Sequence, residues 1–257
     1  MPGAARVIFV PHLRLGRALL VNKLVELGCH KLALPYPKEL RRDLTLYSQG
    51  SIGWRELVWR VRELLGDYHR PWLYVEEPLV RGLRILREAA GGLSIVCYES
   101  LEELRRGLEG RYGLLALALR RRVGLSVSPE EVRRHLRGGD GALVKVLARV
   151  VELGYVAVVT DRGLASALAD EVLEVLPGYV ESPAERILKC PDERTFEEFV
   201  KYIFDYVLTS ENADVAYFRW LADTYPESEL ARRAADLIRL ARSAGPPRPG
   251  PRSDRNP

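Results

Sequence analysis

The sequence predicts an α/β fold, in which a mainly parallel, five-stranded sheet carries helices on both faces and is followed by a C-terminal α-helical extension. The first observation behind this prediction is that five short apolar runs alternate with segments of helical periodicity. The second is that none of the runs alternates clearly between apolar and polar residues. Strands buried on both faces of a parallel sheet have this composition, because helices cover both sides of such a sheet.

Each predicted strand is an apolar run that ends in polar residues or proline. The five runs comprise residues 7–11, 31–35, 72–76, 93–98 and 155–160. Between the first two, residues 13–27 place leucines at helical spacing and end at Gly28, a residue that commonly terminates helices. The first 35 residues therefore predict a strand, a helix and a strand, which is the unit from which parallel sheets are built.

Apolar stripes and capping residues predict the remaining helices of this domain. Stripes at helical spacing indicate helices over residues 37–47, 52–65, 81–90, 142–153 and 164–176. Ser100 with Glu103, and Ser128 with Glu131, have the spacing of a capping box, so two further helices begin at these serines.

The character of the chain changes near residue 177, after which no strand-like run follows. We therefore predict an α/β domain (residues 1–180), a helical extension (181–242) and a disordered tail rich in proline and arginine (243–257). The extension contains four of the five phenylalanines, so we expect its apolar face to pack against another protein surface. Packing on the sheet is the simpler interpretation, and docking of a protein partner or self-association through residues 195–242 is the alternative.

Composition places the chain among ordinary soluble proteins: 257 residues, 47% of them apolar and 29% charged. No run of 18 uncharged apolar residues occurs, so we expect neither a transmembrane segment nor a membrane partner, and the predicted location is cytoplasmic. Cys29, Cys97 and Cys190 lie far apart, which favours free thiols over disulfides or a zinc site.

Thermolabile side chains are scarce: the chain has one Met, one Gln and three Asn, and 33 of its 39 basic residues are Arg. This composition favours a thermophilic source, although a GC-rich genome would also enrich arginine.

Charge is distributed unevenly along the chain. Residues 105–137 contain nine Arg and three Glu, whereas residues 163–231 contain fifteen acidic and five basic residues. These two segments could dock on each other, or the basic one could bind an anionic partner such as nucleic acid. Tyr112 is the only aromatic residue among the basic ones, so stacking of bases is not indicated.

Titratable side chains follow every predicted strand at its carboxyl end, which is the edge where open α/β sheets bind ligands. They are His12 and Arg14 after the first run, Tyr36 and Glu39 after the second, Glu77 at the third, Glu99 at the fourth, and Asp161 and Arg162 at the fifth. The sequence therefore predicts a site at this edge.

Three of these residues are predicted to be catalytic. Histidine exchanges protons near neutral pH, so His12 is the predicted general acid or base, with Glu77 and Asp161 as the accompanying carboxylates. Glu76 and Glu77 are adjacent and would point to opposite faces of a strand, and Glu77 is preferred of the two. The predicted substrate-binding residues are Arg14, Tyr36, Glu39, Glu99 and Arg162.

Several sequence motifs are absent, which argues against the enzyme classes that depend on them. The chain has no phosphate-binding P-loop, no glycine-rich dinucleotide turn, no G-x-S-x-G elbow and no H-E-x-x-H helix. No Cys and His residues have the spacing of metal ligands, so no metal site is predicted. The sequence assigns no cofactor, substrate or oligomeric state.

The order of elements resembles the TraB/ChaN/erythromycin-esterase-like group over roughly residues 6–176. The similarity lies in a strand that leads to His12, a following helix that contains the sequence Gly-Arg-Ala-Leu-Leu (residues 16–20), and a second strand that leads to the acidic turn at Glu39. The chain lacks the acid before His12, and Asp161 and Arg162 replace the group's final histidine. The resemblance implies a hydrolytic enzyme, and these departures leave open a relative without that activity.

The sequence thus predicts a hydrolase-like protein with its site at the carboxyl edge of the sheet, although whether it is an enzyme stays open. Two alternatives belong to other classes. One is a non-catalytic module that docks a partner through its aromatic C-terminal helices, and the other is a nucleic-acid-associated protein that uses residues 105–137.

Overall fold

The computed structural model of the chain describes residues 6–136 and 141–243. Within these residues a five-stranded, fully parallel sheet has the order β3-β2-β4-β1-β5. The strands are β1 (Val7–Phe9), β2 (Lys31–Pro37), β3 (Ser94–Glu99), β4 (Val156–Val159) and β5 (Leu173–Glu174). The predicted α/β class is therefore confirmed. The predicted tail lies outside the described residues from residue 244 onward.

Helices follow each of the five strands in the described part of the chain. They are α1 (Arg14–Glu26), α2 (Arg41–Ser48), α3 (Trp54–Leu65), α4 (His69–Ala89), α5 (Leu101–Arg122), α6 (Pro129–Arg133), α7 (Gly141–Glu152), α8 (Arg162–Leu168), α9 (Pro183–Lys189), α10 (Glu193–Tyr202), α11 (Ala213–Thr224), α12 (Glu229–Arg232) and α13 (Ala234–Ser243). Short 3-10 turns occupy Lys38–Leu40 and Gly66–Tyr68, and a π-helical turn occupies Ile203–Val207.

Four of the five predicted strands are confirmed, and the prediction for residues 72–76 is wrong. These residues lie inside α4, a helix of 21 residues. Trp72, Glu76, Leu79 and Leu83 are buried at intervals of four, three and four residues, which is the spacing of one helical face. The fifth strand is β5, in a segment for which a helix was predicted, because α8 ends at Leu168.

Both faces of the sheet are buried, as the composition of its strands predicts. Val7 and Phe9 of β1 pack into one core, and Ile8 and Val10 pack into the other. After β1 the chain enters α1 on one face, whereas after β4 it enters α8 on the opposite face. Because β1 and β4 are neighbours, the loops after them diverge to opposite faces at the carboxyl edge, which is where α/β sheets commonly bind ligands.

The C-terminal helices share a core with the sheet. Phe196, Phe199, Phe218 and Trp220 are buried in the same cluster as Phe9 of β1. The ring of Tyr179 joins the two parts, since its centroid lies 5.9 Å from that of Phe9 and 5.0 Å from that of Tyr217. The aromatic face of the extension is thus covered within the chain, as the simpler interpretation of the sequence proposes.

Helices α1 and α4 pack closely because residue 82 is a glycine. A Cβ atom at this position would overlap the side chain of Val21. We expect Gly82→Ala to lower the free energy of unfolding by about 1–3 kcal/mol, measured by urea denaturation. Gly92→Ala is the matched control, because a Cβ atom at Gly92 meets no atom within 4 Å. Equal stability of the two variants would contradict this explanation of the packing.

Candidate functional site

A buried ionic cluster lies where α1, α4 and β2 meet at the carboxyl edge of the sheet. Arg17 donates to both carboxylate oxygens of Glu76, from Nε to Oε2 at 2.6 Å and from Nη2 to Oε1 at 2.9 Å. The hydroxyl of Tyr36 also donates to Oε2 of Glu76, at 2.7 Å. All three side chains are buried, so this Arg17–Glu76–Tyr36 cluster satisfies a charge pair that would otherwise be costly to remove from water.

The protonation state of Tyr36 follows from its position in the cluster. Burial, and then the negative charge of Glu76, raise the pKa of the Tyr36 hydroxyl well above its ordinary value. The hydroxyl therefore stays protonated and remains a donor to Glu76. Together, Arg17 and Tyr36 fix the carboxylate of Glu76 in one orientation.

His12 lies beside this cluster, in the loop between β1 and α1. Its Nδ1 is 3.9 Å from Oε1 of Glu76, and its side chain is 32% exposed. This separation is longer than a hydrogen bond, so the contact is an electrostatic one between the imidazole and the buried carboxylate. An imidazole that reaches solvent on one side and a fixed carboxylate on the other can exchange protons and carry the resulting charge.

The sequence-based preference for Glu77 over Glu76 rests on strand geometry, and both residues are helical. Consecutive helical residues point about 100° apart, so Glu77 faces away from the cluster. Its carboxylate pairs with Arg14 at 3.0 Å and with Arg81 at 2.8 Å. The guanidinium of Arg14 also donates to the carbonyl oxygen of Tyr74. The structure thus pairs the predicted residues Glu77 and Arg14 with each other, and Arg14 lies two residues after His12 in sequence.

Glu76 was missed by the sequence-based reasoning, although the signal was present. Glu76 stands on the apolar stripe formed by Trp72, Leu79 and Leu83, so a helical interpretation of this segment would have marked it as a buried carboxylate. A buried carboxylate requires a partner, which here is Arg17 in the first turn of α1.

Asp214 fixes the start of α1 from a distance of 200 residues along the chain. Its buried carboxylate accepts hydrogen bonds from the backbone N–H groups of Arg14 at 3.0 Å and Leu15 at 2.6 Å. These groups have no partner within the helix, and Leu13 at the N-cap position supplies none. Asp214 of α11 thus caps the helix that follows His12, and no local sequence pattern indicates this contact.

The pH dependence of stability tests this contact. Burial raises the pKa of Asp214 above its ordinary value, and the N–H groups of Leu15 and Arg14 offset only part of that effect. A carboxyl whose pKa is higher in the folded chain favours folding when it is protonated, and this contribution is lost as the pH rises through the folded pKa.

We therefore expect the free energy of unfolding of the wild type, relative to Asp214→Asn, to be higher at about pH 4 than at about pH 7. Urea denaturation at both pH values measures this difference. A difference that is independent of pH, or larger at neutral pH, would contradict the assignment.

Asp161 and Arg162 follow β4 as predicted, and each has a structural partner. Asp161 caps α8, because its Oδ1 accepts from the N–H of Leu164 at 2.8 Å, and its Oδ2 pairs with Lys189 at 2.8 Å. Partial burial opposes ionisation of Asp161, but the hydrogen bonds and the charge of Lys189 prevail and lower its pKa. Arg162 pairs with Glu174 at 2.8 Å and lies over the ring of Phe9. These two residues thus belong to ion pairs on the α8 side of the sheet.

Glu39 and Glu99 lie farther along the edge, after β2 and at the end of β3. Since β2 extends to Pro37, Glu39 follows that strand by two residues, in a 3-10 turn, and not by four as the sequence indicated. Its exposed side chain lines two open grooves of about 470 and 550 Å³. Glu99 is half-buried beside Pro37 of the neighbouring strand.

The basic and acidic segments of the chain meet in part. Arg121 of α5 pairs with Glu197 of α10 at 2.6 Å, and Arg122 lies over the ring of Phe204. Arg120 and Arg133 pair with Glu131 and Glu130 of α6. The pairs of Arg120 and Arg133 lie within the basic segment, so only the contacts of Arg121 and Arg122 join the two segments.

Within residues 6–136 and 141–243, no group of three His, Cys, Asp or Glu side chains is arranged to hold a metal ion. Comparison of the chain with protein-family models, with curated protein sequences and with solved structures finds no match in any of the three. The roles of the residues in the site are therefore inferred from their own contacts.

Proposed function

We propose that the chain is a hydrolase-like enzyme in which His12 is the general acid and base and Glu76 orients it. The observation that carries this proposal is the partly exposed imidazole of His12 at 3.9 Å from a carboxylate that Arg17 and Tyr36 hold in place. A solvent-accessible base backed by a fixed, buried carboxylate is an arrangement that suits removal of a proton from water.

In the proposed reaction, water is the nucleophile. His12 accepts a proton from the water as its oxygen attacks the substrate, and it returns that proton to the leaving group when the scissile bond breaks. Because Nδ1 faces Glu76, the other ring nitrogen, Nε2, is the one that exchanges protons with the reactants. The negative charge of Glu76 stabilises the imidazolium that forms between these two steps.

The reaction class comes from the resemblance to the TraB/ChaN/erythromycin-esterase-like group, and the residue roles come from the contacts. Of the predicted carboxylates, Glu76 takes the role first given to Glu77. Arg14, the predicted substrate-binding residue nearest to His12 in sequence, is buried and paired with Glu77, so we assign it no contact with the substrate. Tyr36 acts through Glu76 and is a positioning residue.

Composition supports two further parts of the proposal. The scarcity of Asn, Gln and Met and the many arginines favour a thermophilic source. Cys29, Cys97 and Cys190 are free thiols, which favours a reducing compartment such as the cytoplasm.

A panel of ester, amide and phosphoester substrates tests the proposed activity, with His12→Asn as the informative variant. We expect this substitution to lower turnover by about 10²–10⁴-fold, the usual contribution of a general acid or base, with little change in melting temperature. His30→Asn is the matched control, because His30 is exposed and precedes β2 at the opposite edge of the sheet. Full turnover by His12→Asn, or an equal loss in both variants, would reject the proposal.

A further inference from the structure

The end of α5 exposes large apolar side chains to solvent. Leu119 is 49% exposed, Val123 is 73% exposed and Leu125 is 55% exposed. A surface helix normally turns charged and polar residues to solvent and keeps its apolar residues for the core. At this end of α5, apolar side chains face solvent as well as the core. Part of the apolar surface of the helix is therefore not covered by the rest of the described chain.

Local backbone geometry brings these three side chains together. Gly124 has a φ of 82°, and its N–H donates to the carbonyl oxygen of Arg121 at 3.1 Å, while the N–H of Leu125 donates to that of Arg120 at 3.0 Å. This pair of hydrogen bonds ends a helix with the chain folded back over its last turn. Leu125 therefore returns toward Leu119, which lies one turn before Val123 on the same helix face. We call Leu119, Val123 and Leu125 the α5 tip.

Apart from Tyr112, which is 48% exposed, the large apolar side chains earlier in α5 are buried or partly buried within the chain. Leu104 and Leu108 pack with the core on the side of α3, and Leu114 and Leu117 pack with the core on the side of the C-terminal helices. The exposed residues thus begin where these contacts end. Because the tip is the end of a helix and its most exposed residue is Val123, it is a protruding surface rather than a groove.

The charged residues around the tip restrict the kind of partner that can bind it. Three arginines, Arg120, Arg121 and Arg122, immediately precede Val123. Arg120 and Arg121 pair with Glu131 and Glu197, and Arg122 lies over the ring of Phe204, so one net positive charge remains among the three arginines and these two carboxylates. A partner that covers the tip must therefore combine negative charge at its surface with an apolar region that the tip can enter. A flat surface with this chemistry suits a protruding tip.

We propose that the α5 tip binds the surface of an anionic lipid bilayer, with Val123 and Leu125 in the boundary between headgroups and acyl chains and the arginines on the headgroups. The contact is peripheral, and among the described helices none has the length and apolar composition to cross a bilayer. The sequence alone indicated no membrane partner, because the exposure of Val123 and Leu125 is a property of the folded chain.

Co-sedimentation of the full chain with vesicles tests this proposal. We expect binding to vesicles of phosphatidylglycerol and phosphatidylcholine, weakening as salt is added, and much weaker binding to phosphatidylcholine alone. The double variant Val123→Glu and Leu125→Glu should bind the anionic vesicles at least about tenfold more weakly, because it places like charge in the contact. Leu240→Glu, at an exposed position of α13, is the matched control and should bind as the wild type does.

Both substituted residues are exposed, so circular dichroism should show that the double variant is folded. Three results would overturn the proposal: equal binding of the wild type to anionic and neutral vesicles, no binding to either, or a double variant that binds like the wild type. A tip that instead drives self-association or binds an acidic protein, with no binding to vesicles, would also overturn it.

Discussion

Replacing Arg17 by methionine should lower the free energy of unfolding by about 3–5 kcal/mol, the range found when one partner of a buried ion pair is removed. The loss arises because Glu76 stays buried without the guanidinium that binds both of its oxygens. Tyr36 alone cannot neutralise this carboxylate. Urea denaturation followed by circular dichroism measures the change.

Two variants control this prediction. Arg81→Met breaks an ion pair with Glu77 in which the arginine is exposed, and it should cost less than about 1 kcal/mol. The triple variant Arg17→Met, Glu76→Leu and Tyr36→Phe replaces the whole cluster by apolar groups and should recover most of the stability lost by Arg17→Met alone. Equal losses from Arg17→Met and Arg81→Met would show that the cluster is not the buried pair described above.

Replacing Phe218 by alanine should also lower the free energy of unfolding by about 3–5 kcal/mol, because the side chain is fully buried where α11 packs into the core of the sheet. Since the C-terminal helices share that core, we expect tryptophan fluorescence and circular dichroism to report one common unfolding transition for wild type and variant. Leu208→Ala, at an exposed position, should change stability by less than about 0.5 kcal/mol. Separate transitions for the sheet and the helices would contradict a shared core.

The strands could be predicted from sequence where a short apolar run was flanked on both sides by residues that interrupt it. They could not be predicted where such a run was part of a longer helix. Residues 72–76 are apolar and short, and periodicity over five residues does not separate a buried strand from a buried helical segment. The stripe continues to Leu79 and Leu83, so a window extended past Pro78 to these residues would have favoured a helix. Pro78 itself lies inside α4.

The strand β5 depends on contacts that the local sequence does not encode. Only Leu173 and Glu174 form it, by pairing with Ile8 and Phe9 of β1. Leucine, valine and glutamate around these positions also suit a helix, so tertiary pairing decides the outcome.

The candidate site was predictable in part. The position of His12 after β1 follows from the rule that ligands bind at the carboxyl edge of a parallel sheet. The partners of the other residues are distant in sequence: Asp161 with Lys189, Arg17 with Glu76, and Asp214 with the start of α1. No spacing rule identifies such pairs, because the packing of whole helices brings them together.

Turnover of a substrate from the hydrolase panel by three variants, His12→Asn, Glu76→Gln and the double variant, is the most direct test of the proposed site. If Glu76 acts only through His12, each single substitution lowers kcat and the double variant is no slower than His12→Asn alone, as is usual for residues that work as a unit. Losses that multiply in the double variant, or unchanged turnover in Glu76→Gln, would contradict this account of the site.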